Sequence, residues 1–187
     1  ADTNLGIVAG GEAKDAQGNA IGAGPETLLF LATRLNLASW LQPLVEAKAD
    51  VSRANGRGET VLHVAAQVGF AEHVRVLLAL NADATALDRE NRSPLFVAAV
   101  AGYANVVQLL LPSSQLRLNT KDSTNGQTPL LAALAAVESS NSLKCAALLL
   151  SAGADASLTD SARLTSLAHA YKRNAHELVS QLVANKV

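Results

Sequence analysis

The chain has little of what several protein classes depend on. Its 187 residues include one cysteine, no methionine and only 3% aromatic side chains. A single cysteine excludes an internal disulfide and a cysteine-rich metal site. With so few aromatic residues, the chain has little with which to stack on nucleic-acid bases. Its net charge of -1 also differs from the basic excess that is typical of a nucleic-acid binder. Because no apolar run approaches the roughly 20 residues of a membrane span, we expect a soluble chain.

The histidines and glycines form no recognisable catalytic, cofactor or metal site. None of the four histidines has the H-E-x-x-H spacing of a zinc helix (His63, His73, His169 and His176). The glycine-rich stretch at 20–27 lacks the closing Gly-Lys-Ser/Thr of a phosphate-binding loop. We therefore expect no enzyme, no cofactor and no metal, with an enzyme of unrecognised site and a His169–His176 metal pair as alternatives.

What the sequence does contain is one pattern that recurs about every 33 residues. Five hydroxyl residues open its copies, at steps of 33, 33, 35 and 37 residues: Thr27, Thr60, Ser93, Thr128 and Thr165. A period in this range is typical of a solenoid of stacked repeats, whose usual product is a binding surface.

Each copy reads as two helices joined by a turn. In the second copy, Leu62, Ala65 and Ala66 recur at the spacing of one helical stripe, and Gly69 ends that helix in a left-handed turn. A second apolar helix follows, and it ends at Asn81, which tolerates the same left-handed conformation.

These motifs resemble the ankyrin repeat family, whose signature runs G-x-T-P-L-H-x-A-A, a glycine, then L-L-L-x-x-G-A-D. The copies that carry it include Ser93–Ala99 with Gly102, and Thr128–Ala133 with Gly153–Asp155. The resemblance covers about residues 22–187. It implies an all-α fold, a solenoid of stacked helix-turn-helix units with β-hairpin-like connecting loops, and no cofactor. His63 is interpreted as a structural residue that bonds backbone between repeats.

The two ends of the stack predict the domain organisation. The first copy is apolar all round from Leu28 to Leu31, whereas the last helix, Ala175–Lys186, mixes polar and apolar residues as a cap would. We expect residues 1–24, with Leu5 and Ile7 among them, to cover the first copy. Residues 25–187 then form the repeats, at about 25–54, 55–87, 88–122, 123–159 and 160–187.

Departures from the pattern give three further predictions. Extra residues around Glu138–Ser142 predict a lengthened, solvent-facing loop between the helices of copy four, with a partner contact as the alternative. Pro112 is expected to stop the second helix of copy three. Cys145 lies in an apolar run and is predicted to be a buried structural thiol.

The resemblance also implies that a partner contacts the loop tips and the inner helices. The residues at these positions are Arg34, Arg57, Glu59, Gln67, Arg89, Glu90, Arg92, Tyr103, Asn125, Gln127, Lys172 and Arg173. The tips and inner helices together hold six basic residues and three acidic ones, since Glu26 lies there too. We expect such a surface to suit an acidic patch on a folded protein. The alternative is that these are ordinary solvated residues.

These features together predict a monomeric, non-enzymatic module that binds one folded partner, as an inhibitor, immunity or protective protein of an enzyme. The alternative is an architectural spacer or scaffold fragment of a larger ankyrin-repeat protein. Ala1 is compatible with removal of an initiator, cleavage of a signal peptide or the boundary of a fragment. We favour an exported, bacterial periplasmic chain, with a cytoplasmic location left open.

Overall fold

A computed structural model describes residues 28–114, 117–136 and 140–184. These ranges contain ten α-helices in five consecutive pairs and no β-strand. In chain order the helices are α1 Leu28–Arg34, α2 Leu41–Glu46, α3 Val61–Val68, α4 Ala71–Ala79, α5 Pro94–Ala101, α6 Ala104–Leu110, α7 Pro129–Ala135, α8 Ser140–Ser151, α9 Ser166–Lys172 and α10 His176–Ala184. The all-α solenoid expected from the sequence is confirmed, and one helix pair lies within each predicted copy.

The first helix of each later pair begins at a hydroxyl residue in extended backbone. The side-chain oxygens of Ser93, Thr128 and Thr165 accept hydrogen bonds from the N–H three residues on, at 3.2, 3.3 and 3.3 Å. Pro94 and Pro129 occupy the first helical position, where a missing N–H costs no helical bond. The Ser/Thr-Pro motif is thus a helix-start signal.

His63 joins its own helix cap to the next copy. Its Nδ1 accepts a hydrogen bond from the Thr60 N–H at 3.1 Å, so the ring proton resides on Nε2. Nε2 lies 3.0 Å from the Arg92 carbonyl oxygen and donates to it. The prediction that His63 bonds backbone between repeats is confirmed.

The helices pack in two layers. The inner helices α1, α3, α5, α7 and α9 contact one another in series, and α2, α4, α6 and α8 form the outer layer. Leucines of both layers are fully buried between them (Leu62, Leu77, Leu95, Leu110, Leu130 and Leu149). Buried alanines, such as Ala66 and Ala99, let neighbouring inner helices approach closely.

In copies two and three the helices end where the sequence predicts. Gly69, with a φ of 82°, ends α3, and Asn81, with a φ of 61°, follows α4. α6 ends at Leu110, just before Pro112, and a short 3₁₀ turn continues over Leu111–Ser113. The Pro112 prediction is therefore confirmed.

The prediction for copy four is wrong in part. Residues 137–139 lie outside the described ranges, but Asn141 and Ser142 belong to α8 rather than to a loop. Ser142 is fully buried, because its hydroxyl donates to the Ala136 carbonyl at 3.3 Å and accepts from Arg173 at 2.8 Å. The extra residues thus lengthen the outer helix, since α8 runs twelve residues and α4 nine.

Candidate protein-binding surface

Each of four loop tips is shaped by one acceptor side chain at its start, half-buried in copy two and buried in copies three to five. In the third copy, Asp88 Oδ1 accepts hydrogen bonds from the N–H groups of Glu90 and Arg92, both at 2.9 Å. The same place is taken by Asn55, Asp122 and Asp160 in the other copies, each bonded to N–H groups of its own tip. These bonds satisfy the exposed backbone of a tight loop and fix its shape.

Backbone hydrogen bonds then tie each tip to the next. The Arg89 N–H donates to the Arg57 carbonyl at 3.0 Å, and the Ser123 N–H donates to the Glu90 carbonyl at 2.8 Å. A third bond, at 2.8 Å, runs from the Ser161 N–H to the Asn125 carbonyl. The four tips therefore form one continuous row whose spacing is set before any partner arrives.

Arg92 is held within its own tip by two carboxylates. Its guanidinium lies 2.7 Å from Asp88 and 2.6 Å from Glu90, and 28% of its side chain is exposed. Burial alone would lower the pKa of Arg92, but the hydrogen bond and charge of Asp88, with Glu90 beside it, raise the pKa above its usual value. Arg92 therefore shapes the tip and offers only part of its surface outward.

Glu59 does not belong to the surface predicted for it. The residue is only 6% exposed, because its Oε2 accepts a hydrogen bond from the Asn55 amide at 2.8 Å. Arg57, two residues earlier in the same tip, is exposed, as are Arg89 and Glu90 in the next copy. The carboxylate turns inward to complete the loop while the arginine projects.

The inner-helix ends add a partly apolar strip beside the tips. Val68 and Val100 are 42% and 40% exposed, and Tyr103 is 36% exposed. Arg34 and Lys172, at matching places in the first and last inner helices, are exposed too. Gln67 in copy two and Asn125 in copy four are exposed, whereas Gln127 is half-buried.

Arg173 also differs from its prediction, because it is half-buried and bridges two copies. Its guanidinium donates to the Ala133 carbonyl at 3.2 Å and to the Ser142 hydroxyl at 2.8 Å. These contacts hold the C-terminal end of α9 against α7 and α8. Arg173 therefore positions copy five against copy four, in addition to contributing a positive charge near the inner-helix ends.

Sequence reasoning missed Arg163, an exposed residue at the tip of copy five. Its φ of 59° lies in the left-handed region, at the place that Gly58, Asn91 and Gly126 take in earlier copies. Register alone could have found it, since each of these residues lies two positions before the opening hydroxyl. At Gly58 a Cβ would stand 2.9 Å from the Arg89 nitrogen of the following tip. No copy follows the fifth among the described residues to crowd Arg163.

The resulting charge pattern is one-sided. The five inner helices contain no Asp or Glu. At the tips, Asp88, Asp122 and Asp160 are buried like Glu59. Among the described residues the exposed carboxylates, apart from Glu90 at the tip of copy three, lie on outer helices and on the loops that follow them, such as Glu46, Glu72, Asp50, Asp83 and Asp155.

The two remaining histidines lie on different helices, and His169 has a structural partner. His169 Nε2 pairs with Asp160 Oδ2 at 2.8 Å, and His176 belongs to a different helix, beyond a break at Asn174. Burial alone would raise the pKa of Asp160, yet hydrogen bonds from Leu164 and His169 lower it. No group of three His, Cys, Asp or Glu side chains in the described ranges is placed to hold a metal.

Cys145 is fully buried in α8, as predicted, and this burial raises the pKa of its thiol to about 11. The thiol therefore stays protonated and unreactive at neutral pH. Across the same described part of the chain, no helix has the length and apolar character to cross a membrane.

A row of stacked helix pairs with pre-bonded tips defines a repeat solenoid with a binding face. The family model described as ankyrin repeats (3 copies) matches residues 29–122 and, in an overlapping second match, residues 82–160. The chain therefore belongs to the ankyrin-repeat family. Ankyrin repeats are protein–protein interaction modules and are typically non-enzymatic. No curated protein matches the chain significantly.

Proposed function

We propose that this chain is a non-enzymatic module that binds one folded protein through its tips and inner-helix ends. It acts by covering its partner, as an inhibitor, immunity or protective protein of an enzyme. The partner presents an acidic surface patch, and the chain meets it as a monomer. Membership of the ankyrin-repeat family supports the interaction role.

The observation that carries this proposal is the opposite orientation of acids and bases at the tips. The carboxylates of Glu59, Asp88 and Asp160 are buried and occupied by hydrogen bonds within the loops. Arg57, Arg89 and Arg163 are exposed, whereas the exposed tip carboxylate of Glu90 is paired with Arg92. A partner that approaches this row therefore meets positive charge, and an acidic surface would be steered toward it.

The stacked tips reduce the cost of binding. Because backbone hydrogen bonds between neighbouring tips already fix their spacing, the loops lose little conformational entropy when a partner binds. Arg34 in the first copy and Lys172 in the last are exposed and basic. In the copies between them, the exposed Val68, Val100 and Tyr103 supply apolar area. Arginine and tyrosine are favoured at such interfaces, and five copies can present a standard interface of about 1,600 Å² in total.

The proposal is tested by capturing the partner from native extract and purifying it. We expect one protein that forms a 1:1 complex by light scattering and that loses its activity as one equivalent of the chain is added. The variant Arg57→Glu should capture it poorly. Lys48→Glu, the same charge change at an exposed residue that follows the outer helix α2, should capture it normally.

The outcomes separate the proposed role from a spacer. A partner whose activity is unchanged in the 1:1 complex would refute the inhibitory role and favour an architectural one. Equal capture by Arg57→Glu and wild type would place the binding site away from the tips.

A further inference from the structure

The tip of copy four is one residue longer than the other three described tips. Its acceptor, Asp122, lies six residues before the opening hydroxyl, whereas the acceptors of the other tips lie five before theirs (Asn55, Asp88 and Asp160). In those shorter tips the N–H two residues before the hydroxyl donates to the acceptor residue's carbonyl, at 2.9, 3.0 and 2.9 Å (from Gly58, Asn91 and Arg163). In copy four that N–H belongs to Gly126 and has no protein acceptor within the described ranges.

Asn125, the residue before Gly126, has an exposed side chain. Its backbone is held on both sides, since its N–H donates to Asp122 Oδ2 at 3.1 Å and its carbonyl accepts from the Ser161 N–H at 2.8 Å. Its carboxamide, in contrast, makes no hydrogen bond to any residue in the described part of the chain. An exposed, unbonded carboxamide therefore adjoins an unbonded backbone nitrogen.

The only other Asn–Gly pair in the sequence, Asn55–Gly56, gives an internal comparison. The Asn55 side chain is held by three hydrogen bonds. Its Oδ1 accepts from the N–H groups of Arg57 and Glu59 at 2.8 and 3.0 Å, and its Nδ2 donates to Glu59 Oε2 at 2.8 Å. These bonds must break before the Asn55 carboxamide can turn toward the Gly56 nitrogen. The tip of copy four places no such restraint on Asn125.

We propose that Asn125–Gly126 is a site of spontaneous deamidation. The Gly126 nitrogen loses its proton and attacks Cγ of Asn125, so that a five-membered succinimide forms and the side-chain nitrogen leaves as ammonia. Water then opens the ring at either carbonyl, which gives aspartate or isoaspartate at this residue. Glycine favours the attack because it has no side chain to obstruct the approach of its nitrogen. Water is the only other reactant.

The modification changes the row of tips in two ways. Either product adds a negative charge to the tip of copy four, between the exposed Arg89 and Arg163 of the neighbouring tips. Isoaspartate also carries the main chain through the former side chain, so the carbonyl that accepts from the Ser161 N–H becomes a carboxylate off the main chain. The chemistry at Asn125 stands without the proposed function. Its consequence, weaker attraction of an acidic partner, rests on that function.

The test follows the reaction in the full folded chain, which is incubated at mildly alkaline pH and then digested with pepsin at acidic pH. By mass spectrometry, the peptide that contains Asn125 should gain the mass by which a hydroxyl exceeds an amino group, and separate into two products. This gain should be at least about tenfold faster than the gain at Asn55, where the hydrogen bonds oppose the reaction. Asn125→Gln should abolish it. In concentrated urea, which removes the bonds of Asn55, the two rates should become similar.

Two results would overturn the modification site: equal rates at Asn125 and Asn55 in the folded chain, or a ratio of rates that urea leaves unchanged. The first would show that the bonds of Asn55 give no protection. The second would show that the difference lies in the neighbouring sequence rather than in the tips.

The consequences for the row of tips have their own readouts. In the isotope-labelled isoaspartate product, the NMR signal of the Ser161 amide should shift, while that of Arg89, which bonds the tip of copy two, should stay. An unmoved Ser161 signal would overturn the change in spacing. Asn125→Asp should capture the partner of the proposed function less well than Asn125→Gln does. Equal capture would remove the effect on binding, while the mass change alone decides the modification.

Discussion

The ring of Tyr103 lies directly against the backbone of Gly69, across the junction between copies two and three. A Cβ placed on Gly69 would stand 2.5 Å from both Cδ1 and Cε1 of that ring. Gly69 also has a φ of 82°, which disfavours any side chain. Glycine is therefore needed twice at this residue, for the turn that ends α3 and for the contact that seats the next copy.

This double need gives a prediction for stability. Gly153→Ala should cost about 1 kcal/mol of the free energy of unfolding, because Gly153 has a φ of 90° but nothing within 4 Å of a Cβ. Gly69→Ala should cost at least about 2 kcal/mol, since it must also displace the Tyr103 ring. Urea unfolding measures both. Equal costs would show that the ring contact contributes nothing.

The two buried histidines predict opposite effects of the same substitution. Replacing His63 by Leu leaves the Thr60 N–H and the Arg92 carbonyl without their partner, so His63→Leu should cost about 1–3 kcal/mol. The ring nitrogens of His73 make no hydrogen bond among the described residues, although the Ala32 carbonyl lies close enough to affect its pKa. His73→Leu should therefore leave the free energy of unfolding unchanged or raise it. A large loss for His73→Leu would contradict this.

The same histidines make stability depend on pH. Burial lowers the pKa of both His63 and His73 below the ordinary value of 6.5. The unfolded chain therefore binds these protons at a higher pH than the folded chain does. The free energy of unfolding should be at its full value above pH 6.5 and fall as the pH drops below it. In His73→Leu the free energy of unfolding should decline less steeply between about pH 7 and 5 than in wild type. An unchanged slope would show that other groups cause the decline.

The repeat register predicted where residues lie along the fold but not which way their side chains turn. Arg57 and Glu59 are two residues apart in one tip, and both satisfy the pattern of a partner-contacting position. Only the structure shows that Asn55 captures Glu59 and buries it. Arg173 is similar, because the acceptors that draw it inward, Ala133 and Ser142, lie 40 and 31 residues away in sequence.

Local signals predicted the helix starts and ends far better. Thr128 and Pro129 predict the start of α7, and the Thr128 hydroxyl bonds an N–H only three residues further along the chain. Pro112 stops α6 by its own covalent geometry. The inward packing of Ser142 depends instead on how copy five meets copy four. No pattern within copy four contains that information.

The exposed apolar end of copy one leads to a prediction about residues 1–24, which lie outside the described ranges. Leu28, Leu31 and Trp40 are 47%, 45% and 51% exposed. We propose that the N-terminal segment covers them. Removing residues 1–20 should then lower the melting temperature by several degrees. Trp40, the only tryptophan, should become more accessible to acrylamide.

A control distinguishes this cover from contact between copies of the chain. If a second copy shields Trp40, quenching in the full-length chain should rise on dilution. The segment proposed here predicts no such dependence on concentration. An unchanged melting temperature together with unchanged quenching after truncation would reject the cover.

If an acidic partner meets the basic row of tips, the association rate of the purified partner should depend on the charge of those tips. Rates would be compared for wild type, Arg89→Glu and Lys48→Glu at about 50 and 300 mM salt. We expect Arg89→Glu to bind about tenfold more slowly than wild type at low salt, the difference to narrow at high salt, and Lys48→Glu to match wild type. Equal rates for both variants, or a defect in Arg89→Glu that salt does not change, would contradict it.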